Sequence, residues 1–206
     1  MEQKKKWKLF KAFMPILMVG LVVIVTIYMK RQVRPEVSIN GQKIWVGMTV
    51  QELVDESFLV GLTAYEGDIV NLDAQPQVPG ETHNPKHYHV YKDEEFMLVD
   101  FSVSNTDVNS CEFADSKIYT IHFNPGLDFS SDIELLVNGI NVGGMEKEEA
   151  LNAFERLGVK FDREEKEEYL SGKNGFVVGR SGEYSFEFET YDDHKGIDSI
   201  RVRMSV

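Results

Sequence analysis

One cysteine, Cys111, stands in a chain of 206 residues, so no internal disulfide framework can staple it. None is needed, because some 170 residues are enough to bury a sizeable core. No Asn-x-Ser/Thr sequon occurs, since Asn109-Ser110-Cys111 does not qualify. Basic residues are scarce beyond position 34. Residues 1–34 hold eight Lys/Arg and one acidic residue, which leaves 14 basic and 33 acidic residues for 35–206, a net of −19. So acidic a body is repelled by nucleic acid and by anionic headgroups, which excludes DNA or RNA binding.

The signatures of common chemistries are missing as well. There is no G-x-S-x-G elbow, and Gly179-Arg180-Ser181-Gly182 reads as a hairpin turn. No glycine-rich loop of the phosphate-cradling kind occurs. Residues 192–198 lack the glycine and glutamate spacing of an EF-hand and read as a β-turn. Cys111 lies in a polar loop beside Glu112, a neighbour that raises a thiol's pKa and argues against a Cys-His nucleophile. No carboxylate pair stands out for glycoside cleavage. The sequence therefore predicts a non-catalytic protein without a required cofactor. Export without disulfides or glycans suits a bacterial cell surface.

What is present begins with an uncharged run at 12–29, AFMPILMVGLVVIVTIYM. As a helix it would be about 27 Å long, close to the hydrocarbon thickness of a bilayer. Five lysines precede it and three basic residues follow. Tyr28-Met29-Lys30-Arg31 follows where a cleaved leader would show an A-x-A site. The reading is a transmembrane signal anchor with a cytoplasmic tail at 1–11, a juxtamembrane linker at 30–36 and the rest extracytoplasmic, by the positive-inside rule. A single-pass protein of the cell membrane is expected, with the membrane itself as one partner through residues 12–29.

Beyond the anchor the same order of signals occurs twice. Asn40-Gly41 lies between short β-favouring runs, a strong hairpin signal. Gly47-Met48 follows, and then Thr49-Val50-Gln51-Glu52 forms a capping box. Asn138-Gly139, Gly144-Met145 and a helical run from Glu146 to a stop at Gly158 repeat it at an offset of 98 residues for Asn-Gly. Alternating strands end each unit: 96–103 and 117–123 in the first, 184–188 and 200–206 in the second. These matches predict internal duplication, with repeat 1 at 37–126 and repeat 2 at 127–206. Repeat 1 carries an insertion at 61–91, and repeat 2 a short charged helix over 162–170. The expected fold class is α+β: one N-terminal transmembrane helix, then two tandem repeats, each a short helix packed on an antiparallel sheet.

Val46-Gly47-Met48-Thr49-Val50-Gln51-Glu52-Leu53, echoed by 143–150 (GGMEKEEA), resembles the helix entrance of the tandem α/β repeats in the β-lactamase-inhibitor-protein-like group. The resemblance covers the two helix entrances and the helix-then-sheet order. It implies a non-catalytic role in which a sheet face and its loops bind other proteins. The chain departs from that group's lipoproteins in lacking a lipid-acceptor cysteine, and from its secreted inhibitors in lacking paired cysteines.

The expected function is thus a membrane-anchored extracytoplasmic module for protein binding or assembly, with its protein partner outside the membrane. The insertion supplies candidate contacts in Tyr65, Asp68, His87, Tyr88 and Tyr91. One alternative is a surface metal-binding protein. His83, His87 and His89 lie close in sequence, and three imidazoles can take a divalent metal such as zinc, nickel or copper. Another alternative is a cell-wall-directed hydrolase with an unrecognised carboxylate pair.

Overall fold

Two Asn-Gly turns set the framework. Asn40 and Gly41 have φ of +48° and +83°, and Asn138 and Gly139 +49° and +77°. Both central positions of a type I′ turn need positive φ, which asparagine and glycine tolerate best. The first turn joins β1 (Glu36–Ile39) to β2 (Gln42–Trp45). The second follows β7 (Leu135–Val137), where Val137 bridges to Ile140.

The computed structural model describes residues 14–15, 17–21, 32–62, 68–92, 95–123, 134–143, 145–169, 173–191 and 196–204; at 95–98, 163–169, 173–176 and 190–191 it describes the backbone alone. The chain divides into two compact units, 1–32 and 33–206. In the first, 14–15 and 17–21 are helical and exposed.

In the second unit each turn leads into a helix. Thr49 caps α1 (Val50–Asp55): its Oγ1 accepts from the Glu52 N–H at 3.1 Å, while Glu52 Oε2 accepts from the Thr49 N–H at 2.7 Å. This reciprocal bonding satisfies two otherwise orphaned amides and is worth about 1 kcal/mol. The second helix, α2 (Lys147–Leu157), closes on Gly158 at φ +105°, a left-handed stop that needs no Cβ. Four strands follow each helix. They are β3 (Leu59–Gly61), β4 (Thr82–Lys92), β5 (Glu95–Asn105) and β6 (Lys117–Phe123), then β8 (Lys160–Tyr169), β9 (Lys173–Ser181), β10 (Tyr184–Tyr191) and β11 (Ser199–Met204).

All eight belong to one antiparallel sheet in the order β3-β4-β5-β6-β11-β10-β9-β8; β2-β1-β7 form a second, three-stranded sheet. The last strand of each half meets the other at the centre, with Ile200 opposite Phe123 and Arg203 opposite Thr120. Alternate residues build the core. Val99, Phe101, Val103, Ile118, Ile121, Phe123, Phe186, Phe188, Ile200 and Val202 are fully buried. The Phe154 ring of α2 packs on Phe186 at 5.7 Å and on Phe188 at 5.0 Å between centroids.

This architecture corrects several expectations. Among the described residues the protein is mostly β, with two sheets and few helices, rather than two helix-on-sheet repeats behind a transmembrane helix. The physical reason lies at the strand edges. A four-stranded sheet standing alone would leave the outer N–H and C=O groups of β6 and β11 unpaired, and pairing them with each other removes both edges. Pairing of β1 with β7 joins the two turn regions in the same way. The charged stretch 162–170, expected as a helix, lies in β8 through Tyr169, antiparallel to β9. Cross-strand hydrogen bonding overrides local helix propensity there. Within the insertion 61–91, residues 82–91 belong to β4, an eleven-residue strand.

The anchor expected at 12–29 falls largely outside the described residues. Among the described residues no helix is long and apolar enough to cross a membrane. The transmembrane, signal-anchor and single-pass cell-membrane readings are corrected accordingly. An uncharged run records composition, which does not by itself make the helix of about 20 continuous residues that a crossing takes.

Candidate functional site

Period-2 alternation that buries Phe101, Ile121, Val202 and Phe186 turns their neighbours to the opposite face of the sheet. Register then lines those neighbours into rows that cross the strands. One row runs His89, Asp100, His122, Arg201, Glu187. The next runs Ser102, Thr120, Arg203, Ser185, Arg180, Lys160. Ser102, Thr120 and Ser185 are buried at 8%, 8% and 5% exposure, while His87, Arg180, Arg201 and Arg203 are exposed. Small hydroxyl side chains thus make a floor from which long charged ones rise.

Asp100 is the hub of one end. Its Oδ1 lies 2.7 Å from His87 Nδ1 and its Oδ2 3.0 Å from His122 Nδ1. With the carboxylate accepting from both, each imidazole carries a proton on Nδ1. Burial alone would raise the Asp100 carboxyl; hydrogen bonds from His122 and His87, with the charges of both imidazoles, outweigh it and hold the group below the usual carboxylate range. His89, opposite Asp100 on β4, is lowered, mainly by burial; Asp100 opposes that shift and His87 adds to it. At the other end Glu187 takes two arginines, Arg203 Nη2 at 2.6 Å and Arg201 Nη1 at 3.5 Å. Arg203 Nε also donates to Ser185 Oγ at 3.3 Å.

The sign of the pH dependence follows. The stability that Asp100 contributes is full above its unfolded pKa of about 3.9 and is lost as pH falls through its lower folded value. The unfolded chain also protonates His89 first, below about pH 6.5, so acid destabilises through both groups. We expect Asp100→Asn to cost on the order of 1 kcal/mol at neutral pH. In urea titrations that difference from wild type shrinks as pH falls below the ordinary carboxylate value of about 3.9. A difference constant over this range would remove the carboxylate's charge from the account.

The fold separates His83 from His87 and His89, which both lie at Asp100. His83 stacks on Tyr119 with centroids 4.3 Å apart, whereas His87 is bound to Asp100. A register shift between Asn84 and Tyr88 separates them. Among the described residues no group of three or more His, Cys, Asp or Glu side chains is placed to hold a metal ion. Tyr88, 3% exposed, packs on Phe101 and Phe113, and Tyr91 is 1% exposed, so neither offers its ring to a partner. Asp68 is exposed. Tyr65 lies outside the described residues. Asp100, His122, Arg201 and Arg203 were missed, although each stands at a polar position of an alternating strand.

Cys111 is half-buried and bridges to Val78. Burial raises its thiol pKa, and Asp115, Asp107 and Glu112 add to the shift. Iodoacetamide at pH 8 is expected to alkylate the folded chain more slowly than a free cysteine, with the full rate returning in urea. Equal rates in both states would show the thiol to be open.

A scan against protein-family models matches nothing, and neither a search of curated proteins nor one of solved structures finds a match. The resemblance seen at the two helix entrances rests on those residues alone.

Proposed function

We propose that residues 33–206 form a non-catalytic protein-binding module that engages its partner with the polar face of the eight-stranded sheet. One observation supports this above the rest: the core side of the sheet is buried beneath apolar packing, while the other side presents aligned rows of hydroxyl, imidazole, guanidinium and carboxylate groups. Seven strand spacings of about 4.8 Å make this face about 34 Å across. With strands of about 20 Å the area is comparable with the ~800 Å² per partner of a standard interface. Preset ion pairs and imidazoles held by Asp100 reduce the side-chain ordering that binding would otherwise cost. Among the described residues no hydroxyl or thiol is bonded to His87 or His122 as a nucleophile would be to its base.

The test uses a photo-crosslinking residue at His87 or Arg201, which are exposed on the face, and at Gln51 or Glu149, exposed on the helices. In cells that make the full chain, the face positions are expected to yield one protein adduct and the helix positions none. Adducts from the helix positions alone would sink the proposal.

A further inference from the structure

The acidic body concentrates its arginines in one place. Five arginines follow Pro35, and Arg180, Arg201 and Arg203 share the polar face of β9 and β11. In the row Ser102, Thr120, Arg203, Ser185, Arg180, Lys160 there is no carboxylate. Arg180 stands directly opposite Lys160 on one side and Ser185 on the other. Like charges directly opposite across strands are destabilising, yet 33 acidic residues were at hand in 35–206 to separate them. The neighbouring row of this face holds Asp100, Glu187 and Asp162. Glu187 is already shared by Arg201 and Arg203, and Asp162 sits opposite Val178.

We infer that this row is the seat of an acidic segment of the protein partner, with carboxylates meeting Lys160, Arg180 and Arg203 and with Ser102, Thr120 and Ser185 as neutral hydrogen-bonding floor. This deepens the protein-binding reading and rests on it. The row crosses six strands, about 24 Å, which an extended segment of about seven residues would span. Guanidinium groups suit carboxylates because they bind them bidentately. A short acidic peptide fits better than a nucleic acid, since the body's net −19 repels a long polyanion while two or three local carboxylates are met by local cations.

The experiment uses the purified full chain and fluorescent twelve-residue peptides of alternating Glu and Ser, against matched peptides of Gln and Ser, read by anisotropy. The Glu peptide is expected to bind about tenfold more tightly, a margin typical of one well-made charge-assisted contact. Arg180→Gln with Arg203→Gln should close that gap, Arg180→Lys should keep most of it, and Arg156→Gln, on α2, should leave it unchanged. A melting curve confirms that each variant is folded. Equal binding of the two peptides, an equal loss in Arg156→Gln, or tighter binding of a single-stranded DNA of matched charge would each overturn the inference. Failure here is distinct from failure of the protein-binding reading. If crosslinks at His87 or Arg201 capture a protein whose contact segment has no acidic cluster, the reading stands and only the partner's chemistry is wrong.

Discussion

Phe154→Ala is expected to lower the unfolding free energy by about 3–5 kcal/mol, the range for deleting a buried phenylalanine. The side chain is fully buried, tilted against Phe186 and edge-on to Phe188 at 67°. Truncation removes its transfer energy and both ring pairs, and it leaves a cavity walled by β10, which is fixed between β9 and β11 and cannot collapse inward. Leu157 lies one turn along the same helix at 43% exposure, and its replacement by alanine should cost less than about 1 kcal/mol. Urea unfolding followed by circular dichroism separates the two. Equal midpoints for both variants would mean that α2 does not dock on β10 through this ring. The consequence reaches the binding face too, because Phe186 and Phe188 alternate along β10 with Ser185 and Glu187.

The parts of this fold that were legible are those fixed by neighbours in sequence. Asn-Gly turns, the Thr49–Glu52 capping box and the Gly158 stop each depend on a few adjacent residues, and each is found where the residues stand. Pairing was less accessible. Nothing within β6 or β11 says that they pair with each other instead of ending two separate sheets, because an alternating strand satisfies either arrangement. The charged run in β8 misled for a related reason: glutamate and lysine favour a helix locally, and the same charges also protect the edge strand of a sheet. The site was hidden by the same gap. Asp100, His122 and Arg201 belong to strands 22 and 79 residues apart in sequence and become neighbours only through register. Of the three histidines close in sequence, His83 goes to Tyr119, while His87 and His89 both lie at Asp100.

Gly179→Ala provides the complementary test, because it adds a methyl where the core has no room. In an ordinary strand alanine is preferred to glycine by roughly 0.5–1 kcal/mol for its lower unfolded-state entropy. Here a Cβ would lie 2.5 Å from Phe161 Cε1, 2.7 Å from Phe161 Cδ1 and 2.6 Å from Val159 Cγ1. The Phe161 ring cannot simply turn aside, since it is edge-on to Phe188 at 5.4 Å, and Val159 is buried. Overpacking of this kind costs about 1–3 kcal/mol and so reverses the usual sign. Pairing it with Phe161→Leu should recover part of the loss, giving a coupling of about 0.5–3 kcal/mol in a double-mutant cycle. The strained strands, β8 and β9, carry Lys160 and Arg180 on their other face, so Gly179→Ala should also weaken binding of the acidic peptide while leaving the Asp100 cluster's pH response intact. A neutral or stabilising effect would show that the Phe161 ring does not occupy this space, and the placement of the Lys160–Arg180 pair would fall with it.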